Sequence, residues 1–315
     1  MKRWLPFAVL VVAAVVVISF VEHRNSGTQV GPQAILHLIA DSEREANRIP
    51  ARVWRLNDEE EIRIGDEMAD QYLAGAGLDA NDPDQQRIQA YVTRVGTLVS
   101  AHARRHLPYR FHYIPDPNLI NAFALPGGHV FIGAGMISLM RDEDELAAVL
   151  GHEVEHIDQR HCAERVQFEA QMRKLNLEIA SDALALPISL FKAGYSKELE
   201  LEADREGTQL AVEAGYSADG AIEMFEAMER KYQTDRRYPA GSPQEEAARV
   251  ALEALEGYFE SHPPTQERMA QIEQLASTRN WPDREMRPIS TQILAIFRRD
   301  RPRDEGNTAP PRILR

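Results

Sequence analysis

The sequence predicts a mainly α-helical domain carrying one small β-sheet, an α+β fold, and three of its features do so. Several long segments place apolar side chains every three or four positions, the repeat of a helix buried on one face. Between them, Tyr109, Phe111 and Tyr113 alternate with Arg110 and His112, and two apolar runs, Asn121–Leu125 and His129–Ile132, flank Pro126-Gly127-Gly128. Those are strand and hairpin signals. The third feature is a helix start at Asp142, with Glu145 at the capping-box position, followed by Leu146, Val149, Leu150, Val154 and Ile157 at helical spacing.

Along the chain, Trp4–Val21 is an uncharged apolar run of 18 residues behind Lys2 and Arg3. It is just long enough to span a bilayer, and the basic residues place its start on the cytoplasmic side. A cleaved signal peptide is the competing reading, but Ser19-Phe20-Val21 offers no small-residue cleavage site, which favours an uncleaved anchor over residues 1–22. Either way the rest of the protein is exported. Residues 23–57 are turn-rich and polar and read as a tether. The folded domain is expected from 58 to 278, opening with a helix over Glu59–Leu73 and a second one introduced by Pro83, with Ile88, Tyr91, Val92, Val95 and Val99 on its buried side. The helix begun at Asp142 is expected to run to about Ile179, with Asp182–Ala193 as core or as a flap. Further helices are expected from Tyr195 to near Gly215, over Ala218–Tyr232, from Ser242 to Phe259 and over Gln266–Ala276. Residues 279–315 form an Arg- and Pro-rich tail, disordered from about Arg301. A net charge of −13 argues against a general nucleic-acid binder. With Cys162 as the sole cysteine there is no internal disulfide, and its bland role is that of a small buried helix residue.

The helix from Asp142 carries His152-Glu153-Val154-Glu155-His156. Positions four apart lie on one helix face, so two imidazoles can reach one Zn²⁺ from a single rigid element, with Glu153 beside them to take a proton from a water held there. A catalytic zinc wants a third protein ligand. Gln159 and Cys162 stand where a glycine and a third histidine would be needed downstream, and His161 falls near the opposite side of the helix, as an outer or capping group. The remaining option is an acid from a later helix. Glu200 with Asp204 four residues on can bind the metal and support a ligand histidine, respectively. Glu198 and Glu202 are rivals, and the Asp204 spacing selects Glu200.

The segments NAFALPGGHVFIGAGMI, DEDELAAVLGHEVEHIDQRH, YSKELELEADREG and SHPPTQERMAQI, in that order, resemble the CAAX-prenyl-protease and HtpX-type gluzincin metallopeptidases. They are most similar to the bacterial periplasmic β-barrel-assembly-enhancing branch. The resemblance implies a zincin-type domain holding one zinc through His152, His156 and Glu200, with Glu153 as base and Asp204 supporting a ligand histidine. It also implies a substrate cleft lined by Asn121, Ala122, Phe123, Ala124, Leu125, Gly127 and Gly128, and endopeptidase activity on unfolded or misassembled envelope proteins. His262 would stabilise the oxyanion or occupy the metal as a fourth ligand. Glu155 departs from the small residue usual at its position, and its role is open. A zinc-holding chaperone or assembly adaptor with a latent site is the alternative, and the oligomeric state is open.

Overall fold

The computed structural model describes residues 56–167, 195–235, 262 and 266–299. The apolar run at the N-terminus, most of the tether, Asp182–Ala193, the helix expected from Ser242 and the end of the tail lie outside the described residues. Among the described residues no helix is long and apolar enough to cross a membrane.

Helix α1 spans Asp58–Ala74, where Asn57 accepts the Glu60 N–H at 2.9 Å and Glu60 reciprocates. Helix α2, Pro83–Ser100, starts with Asp82 capping two N–H groups and proline at its first position. Three strands follow: β1, Arg110–Ile114; β2, Ala122–Leu125; and β3, His129–Gly133. The expected hairpin is β2–β3, antiparallel with Phe123 opposite Phe131. The sequence gives no sign that β1 runs parallel to β3, making β3 the central strand of a mixed sheet. Phe123 and Phe131 stack at 4.9 Å, and Tyr72 of α1 sets its ring edge-on to both.

A single turn, α3 (Ala134–Ile137), leads to α4, Glu143–Asp158, which lies at the centre of the domain against α2, β2 and two later helices. These are α5, Lys197–Glu213, and α6, Asp219–Asp235, followed by α7, Gln266–Thr278. Helices α4 and α5 touch backbone to backbone: a Cβ on Gly151 would lie 2.5 Å from the Gly207 carbonyl oxygen. Two glycines permit that approach, and Glu200 and Asp204 lie two turns and one turn earlier on the same face of α5.

Two expectations need correction. The helix from Asp142 does not run unbroken to Ile179. It ends at Asp158, and a second helical segment starts at His161, beyond Arg160 at φ 68°. That left-handed residue is held by its guanidinium, which bonds Asp58 at 3.0 Å, reaches Glu61 at 3.3 Å and donates to the Leu56 carbonyl. The supposed tail is also not all tail. Ile289 N–H bonds the Arg141 carbonyl at 3.0 Å, and α8 (Thr291–Arg299) buries Ile293 and Ile296 against the domain.

Candidate metal centre

Every residue of α4 is buried, including six acids, so each carboxylate needs a partner. Five have one. Glu143 takes Arg94 at 2.5 Å and the Tyr216 hydroxyl at 2.9 Å. Asp144 accepts the Ser217 and Arg287 N–H groups at 2.6 and 2.7 Å. Glu145 accepts the Asp142 N–H at 2.7 Å. Asp158 accepts the Arg104 and Arg105 N–H groups at 3.1 and 2.6 Å. Glu155, the departure from the family pattern, accepts from Gln159 at 3.0 Å and Arg104 at 3.3 Å, and burial followed by the nearby Asp158 pushes its carboxyl up to about 8. Glu153 is the exception: its Oε1 is buried without a hydrogen bond, and His262 Nε2 stands 3.7 Å away.

Beside Glu153, four donor atoms converge. The Nε2 atoms of His152 and His156 are 3.1 Å apart. Glu200 reaches them from α5 at 3.4 and 3.5 Å. His262 places Nδ1 at 3.3 Å from His152 Nε2 and 3.0 Å from a Glu200 oxygen. A tetrahedral zinc with bonds near 2.0–2.1 Å sets its ligands about 3.3 Å apart, so the spacing and the nitrogen–oxygen donor set fit Zn²⁺. His152, His156, Glu200 and His262 form the one such group among the described residues.

The outward nitrogens are also engaged. His152 Nδ1 lies 2.9 Å from Asp204 Oδ1, which fixes the tautomer that turns Nε2 toward the centre. His156 Nδ1 lies 2.9 Å from His161 Nδ1, and His161 Nε2 lies 3.7 Å from Glu202. For His156 to bind through Nε2 it must donate from Nδ1, so His161 accepts and turns its own N–H toward Glu202. The break at Arg160 swings His161 back onto the metal-facing helix, where an unbroken helix would have carried it away. Tyr195 completes this side, its ring stacked on His156 at 4.0 Å and its hydroxyl 3.3 Å from Cys162 Sγ.

Arg268 on α7 had no assigned role. Its side chain, 2% exposed, donates to Asp204 at 2.5 and 2.7 Å and lies 3.2 Å from Glu200. Its only sequence signal is its place in SHPPTQERMAQI, six residues after His262. Charge placement follows from this set. Burial opposes a charge on Glu200, but His262 and Arg268 hold its carboxyl well below the usual range. Asp204 is likewise lowered, against burial, by Arg268. Burial also opposes a charge on His152, yet Asp204 and Glu200 raise it to about 10, whereas burial drives His156 well below its ordinary value. Glu200 and Asp204 thus keep their charges in a fully buried site, balanced by Arg268 and the neighbouring histidines.

The structure places Ala122–Leu125 on an edge strand of the sheet, against α4. Asn121 O accepts from Gly133 N–H at 3.0 Å, so the antiparallel alternation turns the main-chain groups of Ala122 and Ala124 away from β3. Ala124 O faces Cys162 Sγ at 3.7 Å, and the buried Asn121 Oδ1 has no hydrogen bond. Gly127 and Gly128 are placed differently from a cleft lining. They form a buried turn at φ 78° and 112°, where a Cβ would strike Ile62 of α1 and the Pro108 carbonyl. Their geometry serves the turn and its close packing.

A helix carrying HExxH, completed by a glutamate from the following helix, defines a metal-site protein of the HExxH class. The chain belongs to Peptidase family M48, whose family model matches residues 83–276. It is 30% identical over 200 residues to the mitochondrial metalloendopeptidase OMA1 of Schizosaccharomyces pombe, covering 61% of this chain and 54% of that one. It is 30% identical over 181 residues to a putative beta-barrel assembly-enhancing protease of Vibrio cholerae (52% and 36%), and 27% over 175 residues to the beta-barrel assembly-enhancing protease of Escherichia coli K12 (50% and 35%). The chain thus spans about half the length of these curated relatives or less.

Proposed function

We propose that the protein is a zinc-dependent endopeptidase acting on unfolded or misassembled envelope proteins, tethered to the bacterial inner membrane by residues 1–22 with its catalytic domain in the periplasm. One observation carries the chemistry: Glu153 is the buried acid of α4 left without a hydrogen bond on Oε1, and it stands beside four converging metal donors. The names of the relatives support peptidase activity, and the apolar N-terminal run supports the envelope location.

His152, His156 and Glu200 would hold the zinc, which when bound supplies Lewis-acid activation of water and of the scissile carbonyl. Glu153 accepts the proton of the attacking water and passes it to the leaving amine. Burial raises its carboxyl above the ordinary range, which suits both roles. Strand addition to the outer edge of β2, which is buried in this structure and would first have to be uncovered, would favour extended, unfolded segments.

A second reading draws support from the His262 Nδ1 distances, which suit a fourth ligand. It describes a resting enzyme, or an assembly adaptor whose site stays latent. The test uses the full-length chain with and without Glu153→Gln, measuring bound zinc and cleavage of an unfolded protein. One zinc in both, with cleavage only in the unsubstituted chain and lost to a chelator, supports the peptidase. Zinc without cleavage, relieved by His262→Ala, supports the resting enzyme; no relief supports the adaptor. Absence of zinc refutes both.

A further inference from the structure

The two helices that carry the metal donors run in opposite directions, His156 of α4 meeting Glu200 of α5 at one end and Asp144 meeting Ser217, just past α5, at the other. Between those ends they cross backbone to backbone at Gly151 and Gly207. Residues 279–290, which follow α7 and lie beyond the part matched by the family model, strap the ends far from the metal together. On α4, the Glu143 N–H donates to the Arg287 carbonyl at 2.6 Å, the Arg287 N–H donates to Asp144 at 2.7 Å, and the Ile289 N–H donates to the Arg141 carbonyl at 3.0 Å. On α5, the Arg284 guanidinium donates to the Val212 and Tyr216 carbonyls at 2.7 and 2.9 Å. The Arg287 guanidinium donates to the Gly215 carbonyl at 2.6 Å and lies 4.8 Å from the centre of the Tyr216 ring. Arg287 thus holds α4 with its main chain and the end of α5 with its side chain.

We infer, taking His152, His156 and Glu200 as the zinc ligands, that this strap sets the geometry of the metal centre from its far end, with Arg284 and Arg287 as positioning residues. Two facing glycines offer no side chains to interlock, so their contact alone lets the helices rock on one another. A second fixed point is needed to set the angle, and the strap supplies it. Its two guanidiniums meet carbonyls at the C-terminal end of α5 that have no helical partner, where the helix dipole favours positive charge. Glu200 lies two turns before Gly207, a lever of roughly 10 Å at about 1.5 Å per residue, so a rock of about 5° moves it by about 1 Å. Zinc–ligand distances tolerate about 0.2 Å. Asp204, one turn from the crossing, moves less, so a loosened strap costs the zinc its carboxylate ligand before it costs His152 its support.

The experiment compares the full-length chain with two double variants. Arg284→Met with Arg287→Met keeps the side-chain stems and the main-chain bonds to α4, while Arg284→Lys with Arg287→Lys restores a cation at each position. Zinc affinity is read by chelator competition, and cobalt put in place of zinc reports the ligand geometry through its visible absorption. Met68→Ala, a core truncation on α1, is the control for lost stability. The methionine pair is expected to hold zinc about tenfold more weakly and to alter the cobalt spectrum, while the lysine pair recovers most of the affinity. Met68→Ala is expected to keep both affinity and spectrum. None of these readings requires cleavage, so a chain that binds zinc and cuts nothing bears on the peptidase reading alone. A methionine pair with unchanged affinity or an unchanged spectrum overturns the role of the strap. So does an equal loss in Met68→Ala, which traces the effect to stability, or a lysine pair no better than the methionine pair. Absence of zinc from the unsubstituted chain overturns the metal centre and the role of the strap with it.

Discussion

Replacing Arg268 by methionine keeps the length and the apolar stem of the side chain over Phe225 but removes the guanidinium. That group makes two hydrogen bonds to Asp204, at 2.5 and 2.7 Å, and sits 3.2 Å from Glu200, all three residues being 5% exposed or less. Asp204 then loses the cation that does most to hold it ionised, and His152 and His262 are left to balance two buried carboxylates. Breaking a buried ion pair from one side costs about 3–5 kcal/mol. Urea unfolding of the full-length chain, followed by circular dichroism in chelator, reads that loss. Two controls bear on its cause. Saturating zinc supplies the missing charge and shrinks the loss. Asp204→Asn in the same chain removes the stranded anion while its amide oxygen still accepts from His152, restoring at least about 1 kcal/mol relative to Arg268→Met alone. An Arg268→Met chain within about 1 kcal/mol of the unsubstituted one, or a double variant no more stable than the single, refutes the reasoning.

Three further outcomes follow from the same geometry. If His161 accepts from His156 Nδ1, His161→Asn, whose amide oxygen overlays Nδ1, holds zinc near normally, whereas His161→Leu weakens it about 10–100-fold in a chelator competition; equal affinities would exclude the orienting role. A methyl group on Gly207 would lie 2.6 Å from the His152 backbone nitrogen, so Gly207→Ala separates α4 from α5 and lowers bound zinc and the unfolding temperature together; unchanged zinc content would mean the two helices can part without moving Glu200. Away from the metal, burial first, then His129 and Arg110, push His112 down to about 4, while Asp66 and Arg110 contact His129 and Asp70 acts on it from α1. The folded pKa lies below the unfolded value near 6.5, so the unfolded chain takes up the proton first and stability falls between pH 6.5 and 4 by at most about 3 kcal/mol. Urea midpoints of His112→Phe should therefore fall less than those of the unsubstituted chain across that window, and an identical fall would locate the titration elsewhere.

What the sequence determined by itself is local. Pro83, the Asp142–Glu145 capping box and the apolar repeats mark where α2, α4 and α1 begin, respectively. Alternation around Pro126-Gly127-Gly128 marks the β2–β3 hairpin. The i, i+4 spacings of His152 with His156 and of Glu200 with Asp204 put each pair on one helix face, because helical periodicity requires only neighbouring residues. Tertiary structure decided what depends on residues far apart in the chain. A parallel partner for β3 comes from pairing across the chain fold, which no local period encodes. Full burial of so acidic a helix as α4 depends on cations, a hydroxyl and N–H groups from α2, the loops after α2 and α5 and the segment after α7, and their arrival shows which acids are structural and leaves Glu153 Oε1 apart. His161 reads as pointing away until Arg160, clamped by Asp58 and Glu61 about a hundred residues earlier, breaks the helix and returns it to His156. Arg268 has no periodicity to announce it. Its role exists because two buried carboxylates 68 and 64 residues earlier need a positive charge that water can no longer screen.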